Sequence, residues 1–386
     1  MSSSRSQPLA GRKIWIAGIG GAGMSGCALL AQAWGAEVAG WDRFETPYLV
    51  HLSGIEVTIA PKPPKPPRGW EAYISTAFAG QVDGRPRADL LAELVSLQRT
   101  IVVAGAHGKT TTSGMIAFCL DRLGLDPAFL IGGEIPQLGG NARAGSGWLV
   151  VEGDESDRSV AALRPEIAVL LNTDLDHHTT FGSRAEVEQL FEDWLAHVPH
   201  VVRAEELEPV DIELAVPGEH NRRNAAAALA ALELAGVEGA ERLIGEFAGA
   251  GRRLQRRGEG VFDSYAHHPA ELAADIAAVR NGGRILALFQ PHLYSRTLHL
   301  AHEFAVALAS ADAVCVTEIY PAREEPIPGV SGRLIVDELA RVRPGMPLGW
   351  APELEDAARI VRGWARPGDT ILTLGAGDVD RAVDLL

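Results

Sequence analysis

The sequence has few cysteines, no long apolar run and no excess of basic residues. Its 386 residues include three cysteines, Cys27, Cys119 and Cys315, which lie apart in apolar segments without metal-ligand spacing. This pattern predicts buried thiols in a reducing compartment. No run approaches the ~20 apolar residues that a membrane span needs, and residues 1–11 have no apolar signal-peptide core. We therefore expect a cytoplasmic protein without a membrane partner.

The charge balance argues against a polyanionic partner. Lysine and arginine total 35 against 50 aspartate and glutamate residues, which gives a formal net charge of −15. Nucleic-acid and anionic-membrane surfaces are basic, so we expect neither partner. Any anionic ligand must be held by local features. The chain length predicts two or three domains.

The most informative segment is a glycine turn between a predicted strand and a predicted helix. The apolar run Ile101 to Val103 precedes the turn, and a helix-like segment extends through Leu120. The turn contains Gly105, Gly108, Lys109, Thr110 and Thr111. Backbone N–H groups at a helix N-terminus, together with a lysine, are suited to binding the phosphates of a nucleoside triphosphate. Val103 stands where the ordinary phosphate-loop pattern has glycine, so the turn is shorter than usual.

A second glycine turn lies near the N-terminus. Gly18 to Gly23 match GxGxxG between a strand and a helix, and Asp42 ends the next predicted strand. The pattern predicts a diphosphate cradle and leaves open NAD, another phosphorylated nucleotide or a purely structural turn.

Polar residues follow two further apolar strands. Glu152 to Asp157 contain four acidic residues after the strand Trp148 to Val151, which favours a Mg²⁺ site, the alternative being a solvated loop. Asn172 to His178 follow the strand Ile167 to Leu171 and indicate either a metal or phosphate site or a capped loop.

Three segments of the C-terminal half also hold imidazole and polar groups. Pro217 to Asn224 precede an alanine-rich helix, which Asn221 is suited to cap. Phe262 to Pro269 and Phe289 to Thr297 each follow a predicted strand, at the end where open α/β sheets bind ligands. Ordinary surface histidines are the alternative.

Alternating strands and helices predict an α/β protein with parallel sheets covered on both faces. We expect three domains: a Rossmann-like domain at 1–97, a central phosphate-loop domain at 98–250 and a second Rossmann-like domain at 251–386. The proline-rich stretch Pro61 to Pro67 predicts an extended surface connection. Gly249 to Gly260, rich in glycine and arginine, predict a hinge.

Taken together, these motifs resemble the Mur ligase family over nearly the whole chain, from Lys13 to Asp378. The resemblance lies in Gly20 to Gly26, Gly108 to Thr112, His220 with Asn221 and Asn224, Tyr265 to Pro269 and Gln290 to Thr297. Ala106, Thr179 and Leu293 depart from the family pattern, which usually has Thr, Asp and Arg there. The segment between Phe181 and Pro217 is also shorter than usual.

The resemblance implies a role for each motif. The first domain would bind a UDP-sugar through Gly18, Gly20, Gly21, Ala22, Gly23, Met24, Ser25 and Asp42. ATP would contact Gly105, Gly108, Lys109, Thr110, Thr111, Asn221, Asn224, Arg253 and Asp263. Thr110, Glu152 and His177 would hold Mg²⁺, and Lys109, Glu152 and His177 would be the catalytic residues. His267, His268, His292 and Arg296 would lie on the acceptor side.

The implied activity is ATP-dependent joining of L-alanine to the lactyl carboxylate of UDP-N-acetylmuramate through an acyl phosphate, in peptidoglycan precursor synthesis. One alternative is a recycling ligase of the same family that attaches a tripeptide. Another is an NAD-dependent dehydrogenase, which leaves Lys109 unexplained, and a third is a non-catalytic nucleotide-binding regulator. We expect ATP and Mg²⁺ as cofactors, small-molecule partners, and a monomer or weak homodimer.

Overall fold

The computed structural model describes residues 7–175, 180–280, 282–322 and 324–386. Its contacts divide these residues into two compact units. The first unit comprises 7–175, 183–213 and 223–248, and the second comprises 180–182, 214–222 and 249–386. The described strands form three sheets, two in the first unit and one in the second.

The first sheet is parallel throughout, with the order β3-β2-β1-β4-β5. Its strands and helices are β1 (Lys13–Ala17), α1 (Ala22–Ala33), β2 (Glu37–Asp42), β3 (Glu56–Ile59), β4 (Glu71–Ile74), β5 (Arg85–Pro86) and α2 (Arg87–Ser96). The predicted βαβ opening is confirmed. The proline-rich stretch Pro61 to Pro67 connects β3 to β4 without helix or strand, as its missing N–H groups require.

The second sheet has the order β11-β10-β6-β9-β7-β8 and surrounds the phosphate-loop segment. Its elements are β6 (Thr100–Ala104), α3 (Lys109–Arg122), β7 (Ala128–Ile135), β8 (Gly140–Arg143), β9 (Leu149–Glu152), β10 (Ile167–Leu170), α4 (Arg184–Leu195), β11 (His200–Arg203) and α5 (Glu219–Leu234). All five residues of β6 are buried, because this strand lies between β9 and β10 with both faces covered. The edge strand β8 pairs with β7 in the antiparallel direction.

The third sheet, in the second unit, has the order β12-β13-β17-β14-β15-β16. Its elements are β12 (Gln255–Gly258), β13 (Val261–Ser264), α6 (Pro269–Ala278), β14 (Ile285–Phe289), α7 (Tyr294–Leu308), β15 (Ala313–Val316), α8 (Arg333–Val342), β16 (Leu348–Trp350), α9 (Leu354–Trp364) and β17 (Thr370–Leu374). The predicted hinge therefore contains an edge strand. Residues 258–260 reverse the chain so that β12 pairs antiparallel with β13.

The three sheets confirm the α/β fold, with one correction. The prediction of purely parallel sheets is wrong at β8 and β12, where a short connection brings the chain straight back beside its neighbour. The strands of the three sheets span 13–86, 100–203 and 255–374, while the domain boundaries at 97/98 and 250/251 remain predictions. Among the described residues no helix is long and apolar enough to cross a membrane.

Candidate active site

The phosphate loop joins the buried strand β6 to the N-terminus of α3. Gly108 caps the helix in a left-handed conformation (φ 84°), and a Cβ at this position would lie 2.6 Å from Asn224 Oδ1. Only glycine fits there. The Asn172 side chain accepts a hydrogen bond from the His107 N–H at 3.1 Å and donates to the His107 carbonyl at 3.0 Å. The predicted strand, turn and helix are confirmed, with Asn172 and Asn224 packed around the turn.

Lys109 is the first residue of α3, and its ammonium turns back over the loop. Its Nζ donates to the Gly105 and Ala106 carbonyls and lies 2.9 and 3.1 Å from the two carboxylate oxygens of Glu155. Burial acts to lower the pKa of Lys109, but the nearby carboxylates, Glu155 foremost, outweigh it and raise this pKa. The ammonium is therefore charged at neutral pH.

Glu152 ends β9 close to the start of α3. Its Oε1 accepts a hydrogen bond from the Gly132 N–H at 2.8 Å, and a Cβ on Gly132 would lie 2.8 Å from its Oε2. A Cβ on the adjacent Gly133 would lie 3.2 Å from Thr110 Cγ2. Thr110 and Glu152 thus contact neighbouring residues of β7. Their side chains occupy the room that side chains at Gly132 and Gly133 would otherwise fill. A hydroxyl and a carboxylate are oxygen donors of the kind that Mg²⁺ prefers.

The acidic segment after β9 is folded against the loop. Glu155 is 2% exposed. Burial acts to raise the pKa of Asp154, but Lys109 and a 2.8 Å hydrogen bond from the Ser156 N–H lower it. The alternative of a wholly solvated loop is therefore wrong. Within the described part of the chain, no group of three or more His, Cys, Asp or Glu is arranged to hold a metal.

The predicted site segment after β10 is described in part. Asp176, His177, His178 and Thr179 lie outside the described residues. The metal role of His177 therefore stays a prediction, and Asn172 is the residue of that segment that the structure brings to the phosphate loop.

In the first sheet, Asp42 holds the glycine turn in place. Its Oδ2 accepts from the Gly20 N–H and its Oδ1 from the Arg43 N–H, both at 2.7 Å, while the Thr46 hydroxyl donates to the Gly20 carbonyl at 2.6 Å. Asp42 is 7% exposed, so this carboxylate stabilises the turn itself. In a dinucleotide site, this carboxylate would instead bind the 2′-hydroxyl of the ribose.

The rest of the turn leads into α1, which packs on the second sheet. The described residues of this predicted site are Gly18, Gly20, Gly21, Ala22, Gly23, Met24 and Ser25. Met24 and Ser25 are buried, and the Asn141 amide donates to the Ala22 carbonyl at 3.1 Å. The turn therefore presents mainly backbone groups to a ligand.

In the second unit, Arg252 joins the ends of β13 and β17. Its guanidinium donates to Asp263 Oδ2 at 3.0 Å and to the Gly375 and Gly377 carbonyls at 2.7 Å each. Asp263 is fully buried and also accepts from the Thr373 hydroxyl at 2.7 Å. Asp263 therefore holds Arg252 in place, and a direct nucleotide contact of Asp263 remains an untested prediction.

Glu271 organises the predicted acceptor segment that follows β13. Its carboxylate accepts from Arg253 Nη1 at 3.2 Å and from the N–H groups of His267 and His268 at 3.0 and 3.3 Å. The His268 side chain caps α6 by accepting from the Ala270 N–H. Sequence reasoning missed Glu271, although a glutamate three residues after a helix cap is the signal of a capping box.

His292 and Arg296 lie at the start of α7, beside residues that sequence reasoning missed. Arg296 is 5% exposed, and its Nη1 is 3.5 Å from His292 Nδ1. The centroids of the His267 and His292 rings are 5.9 Å apart, and the Tyr320 ring stacks on His292. Tyr320 follows β15, so the strand-end rule that selected the other loops would have found it.

The segment before the alanine-rich helix also needs a correction. Helix α5 begins at Glu219, so Asn221 lies inside its first turn and is not the cap. The Asn221 amide donates to the Pro217 carbonyl at 2.7 Å. His220 lies 3.9 Å from Asp275, and its burial lowers its pKa.

Comparisons with known proteins find relatives over nearly the whole chain. The family model "Mur ligase, glutamate ligase domain" matches residues 252–377. The UDP-N-acetylmuramate–L-alanine ligase of Rubrobacter xylanophilus is 37% identical over 438 aligned residues, which cover 96% of this chain and 98% of that protein. The Streptomyces coelicolor enzyme of the same name is 38% identical, with 94% of each chain covered. The crystal structure of the UDP-N-acetylmuramate–alanine ligase of Thermotoga maritima has a TM-score of 0.77 and 25% identity, over 96% of this chain and 97% of that chain.

A phosphate loop with a charged lysine, a carboxylate beside it and three mostly parallel sheets are typical of a nucleotide-binding α/β enzyme. The full-length similarity makes the assignment specific: the chain belongs to the Mur ligase family, in the group of the UDP-N-acetylmuramate–L-alanine ligases. The NAD-dependent dehydrogenase that the first glycine turn left open is thereby wrong.

Proposed function

We propose that this protein uses ATP to join L-alanine to the lactyl carboxylate of UDP-N-acetylmuramate, in peptidoglycan precursor synthesis. The observation that supports this most strongly is the Lys109 loop, in a chain 37% identical to an L-alanine ligase over 96% of its length. Because ATP and nucleotide sugars are cytoplasmic metabolites, we propose that the protein acts in the cytoplasm. We also propose that it acts as a monomer or weak homodimer.

The chemistry requires activation of the acid. Forming an amide from a carboxylate and an amine in water is uphill, so the sugar's carboxylate first attacks the γ-phosphate of ATP and releases ADP. The resulting acyl phosphate is attacked by the amine of L-alanine, and a tetrahedral intermediate expels inorganic phosphate. Phosphoryl transfer needs positioning and charge neutralisation more than covalent help from the protein. The N–H groups of the loop and the Lys109 ammonium supply both.

Thr110 and Glu152 are the residues that would hold Mg²⁺. Gly132 and Gly133 have no side chains and so leave room for Glu152 and Thr110, whose oxygen donors are of the kind that fits this ion. When bound, Mg²⁺ neutralises charge on the phosphate oxygens. The Gly132 N–H holds the Glu152 carboxylate in position by a hydrogen bond from β7. The second Mg²⁺ position that the family resemblance gives to His177 remains part of the proposal.

In the first sheet, the Gly18 to Gly23 turn would bind the diphosphate of the UDP-sugar through backbone N–H groups. Asp42 fixes the turn by bonding Gly20 and Arg43, which leaves a rigid N-terminus of α1. Helix N-termini favour phosphate because their N–H groups lack intrahelical partners. Sugar specificity then comes from residues outside the turn.

In the second unit, His267, His292 and Arg296 would receive the amino acid. Arg296 is a buried cation suited to the α-carboxylate of L-alanine, and the two imidazoles lie beside it. His268 is occupied in capping α6, so we give it the supporting role of fixing the segment. Arg253, Asn221, Asn224 and Asp263 complete the proposed nucleotide side.

The test is ATP consumption with UDP-N-acetylmuramate and a panel of amino acids and peptides. Lys109→Ala should lower kcat by about 10²–10³, the usual cost of losing one electrostatic stabiliser of a transition state. Lys13→Ala is the matched control, because Lys13 is half exposed and pairs with Glu37 at 2.7 Å on the first sheet. More than about a tenth of the activity remaining in Lys109→Ala would contradict the proposed role.

A further inference from the structure

The Lys109 ammonium has no spare donor in this structure. An ammonium has three N–H groups. Those of Lys109 engage the Gly105 carbonyl, the Ala106 carbonyl and the carboxylate of Glu155. Glu155 is the partner in this set that has a negative charge. A phosphate that binds Lys109 must therefore replace an existing contact.

We infer that Glu155 competes with nucleotide phosphates for the Lys109 ammonium and so sets the nucleotide affinity of the loop. This inference rests on the proposed assignment of the loop to ATP. Glu155 is 2% exposed. When Lys109 turns toward a phosphate, this buried carboxylate loses its two contacts with the ammonium. Breaking a buried ion pair is costly because the strong attraction between its two charges is lost. That cost weakens binding of any nucleotide.

The effect belongs to Glu155 and not to the acidic segment as a whole. Asp157, two residues away, is exposed, and its Oδ1 accepts from the Ser159 N–H at 3.0 Å. Asp154 accepts from the Ser156 N–H. These carboxylates contribute to the local field, whereas Glu155 contacts the ammonium through both oxygens.

Competition between Glu155 and phosphate predicts the opposite result from a role of Glu155 in holding the loop together. Glu155→Gln keeps the shape and one acceptor but removes the charge, so Lys109 gives up a weaker contact when it turns toward a phosphate. Nucleotide should then bind more tightly. A residue needed only to hold the loop together would, when replaced, weaken binding.

The experiment is isothermal titration calorimetry of ADP and of a non-hydrolysable ATP analogue on the full chain. We expect Glu155→Gln to lower Kd about tenfold, a modest share of what separating a buried pair costs. The KM for ATP should fall while the KM for L-alanine stays constant. Glu155→Asp, which retracts the carboxylate by one methylene, should bind with intermediate affinity and decides the matter if Glu155→Gln does not fold. Asp157→Asn is the matched control, with affinity unchanged.

Two results would overturn the inference. The first is unchanged or weaker nucleotide binding in the folded Glu155 variants. The second is equally tighter binding in Asp157→Asn, which would show that any negative charge in the segment has the same effect. Lys109→Ala separates this failure from that of the proposed function. If Lys109→Ala weakens ADP binding while Glu155→Gln does not tighten it, the inference about Glu155 is wrong and the phosphate-loop assignment stands. If Lys109→Ala leaves ADP binding unchanged, the phosphate-loop assignment is wrong as well.

Discussion

The ring of Tyr320 lies parallel to the imidazole of His292, with centroids 5.8 Å apart and 11° between the planes. Backbone bonds fix the pair, since the Tyr320 N–H donates to the Pro291 carbonyl at 2.8 Å and the Leu293 N–H donates to the Tyr320 carbonyl at 3.0 Å. Leu293 has a positive φ of 71°, a strained conformation that surrounding contacts must maintain. The loop after β15 thus orients the proposed acceptor residues.

Tyr320→Ala should raise the KM for L-alanine, because His292 loses the ring that holds its plane. We expect a rise of about two- to twelvefold, which corresponds to about 0.5–1.5 kcal/mol for the stacked pair. Tyr320→Phe retains the ring and should behave like the wild type. Steady-state kinetics with ATP saturating provide the measurement, and a change confined to the KM for ATP would assign the ring to another ligand.

Asp263→Asn should destabilise the protein, because Arg252 would lose the fully buried carboxylate that it contacts. We expect the free energy of unfolding to fall by about 3 kcal/mol, the usual result of breaking a buried pair. Asp380→Asn is the control, since Asp380 is 34% exposed and 3.5 Å from Arg252. Urea denaturation compares the two variants, and equal losses would contradict the account of Asp263.

Asp275 predicts a specific dependence of stability on pH. Burial foremost raises its pKa to about 7, although the Ser264 hydroxyl donates to it. A carboxyl whose pKa is about 4 when unfolded then binds its proton more tightly in the folded state, so its contribution to stability falls as pH rises from about 4 to 7. The free energy of unfolding of Asp275→Asn, which cannot ionise, should rise relative to that of the wild type by about 2.5 kcal/mol from pH 5 to pH 8. Urea denaturation at both pH values provides the measurement, and a constant difference would show that Asp275 is ionised throughout.

The cysteines should be inert in the folded protein. Burial raises the pKa of Cys27 to about 11 and the pKa values of Cys119 and Cys315 to about 12. A thiol reacts through its thiolate, which is scarce under these conditions. An aromatic disulfide reagent at pH 8 should therefore titrate no thiol until denaturant is added. Rapid labelling of the native protein would contradict the predicted burial.

The phosphate loop could be predicted from the sequence because all of its signals are local. The buried strand, Gly108, Lys109 and the helix follow one another within about twenty residues, and the structure has them in that order. The strand-end pattern puts Asn172 in a candidate metal or phosphate site, and the family resemblance puts Asn224 on the nucleotide side. Their contacts with the loop are long-range, and the structure is needed to show them.

The Lys109–Glu155 pair could not be predicted. The two residues are 46 positions apart, and an acidic segment alone does not indicate which carboxylate turns inward. In the structure Glu155 is buried while Asp157, in the same segment, is exposed. Packing of the segment after β9 against the loop decides this, and one sequence contains no signal for it.

Several elements escaped prediction for a different reason. β3 is an edge strand with mostly exposed side chains, so it lacks an apolar run. The region of α8 and α9 contains prolines at 321, 326, 328, 344, 347 and 352, which break the periodic pattern into short pieces. Contacts with the third sheet, more than local propensity, stabilise these helices.

The most direct test of the proposed function is the choice of acceptor. With ATP and UDP-N-acetylmuramate saturating, kcat/KM should be higher for L-alanine than for the murein tripeptide of the recycling ligases. Glycine and L-serine should react more slowly by a modest factor, because one small group in a pocket is worth only ~1–3 kcal/mol. A higher kcat/KM for L-alanine is the result that the account predicts. A higher value for the tripeptide would contradict it, while leaving the Mur ligase fold and the acyl-phosphate chemistry in place.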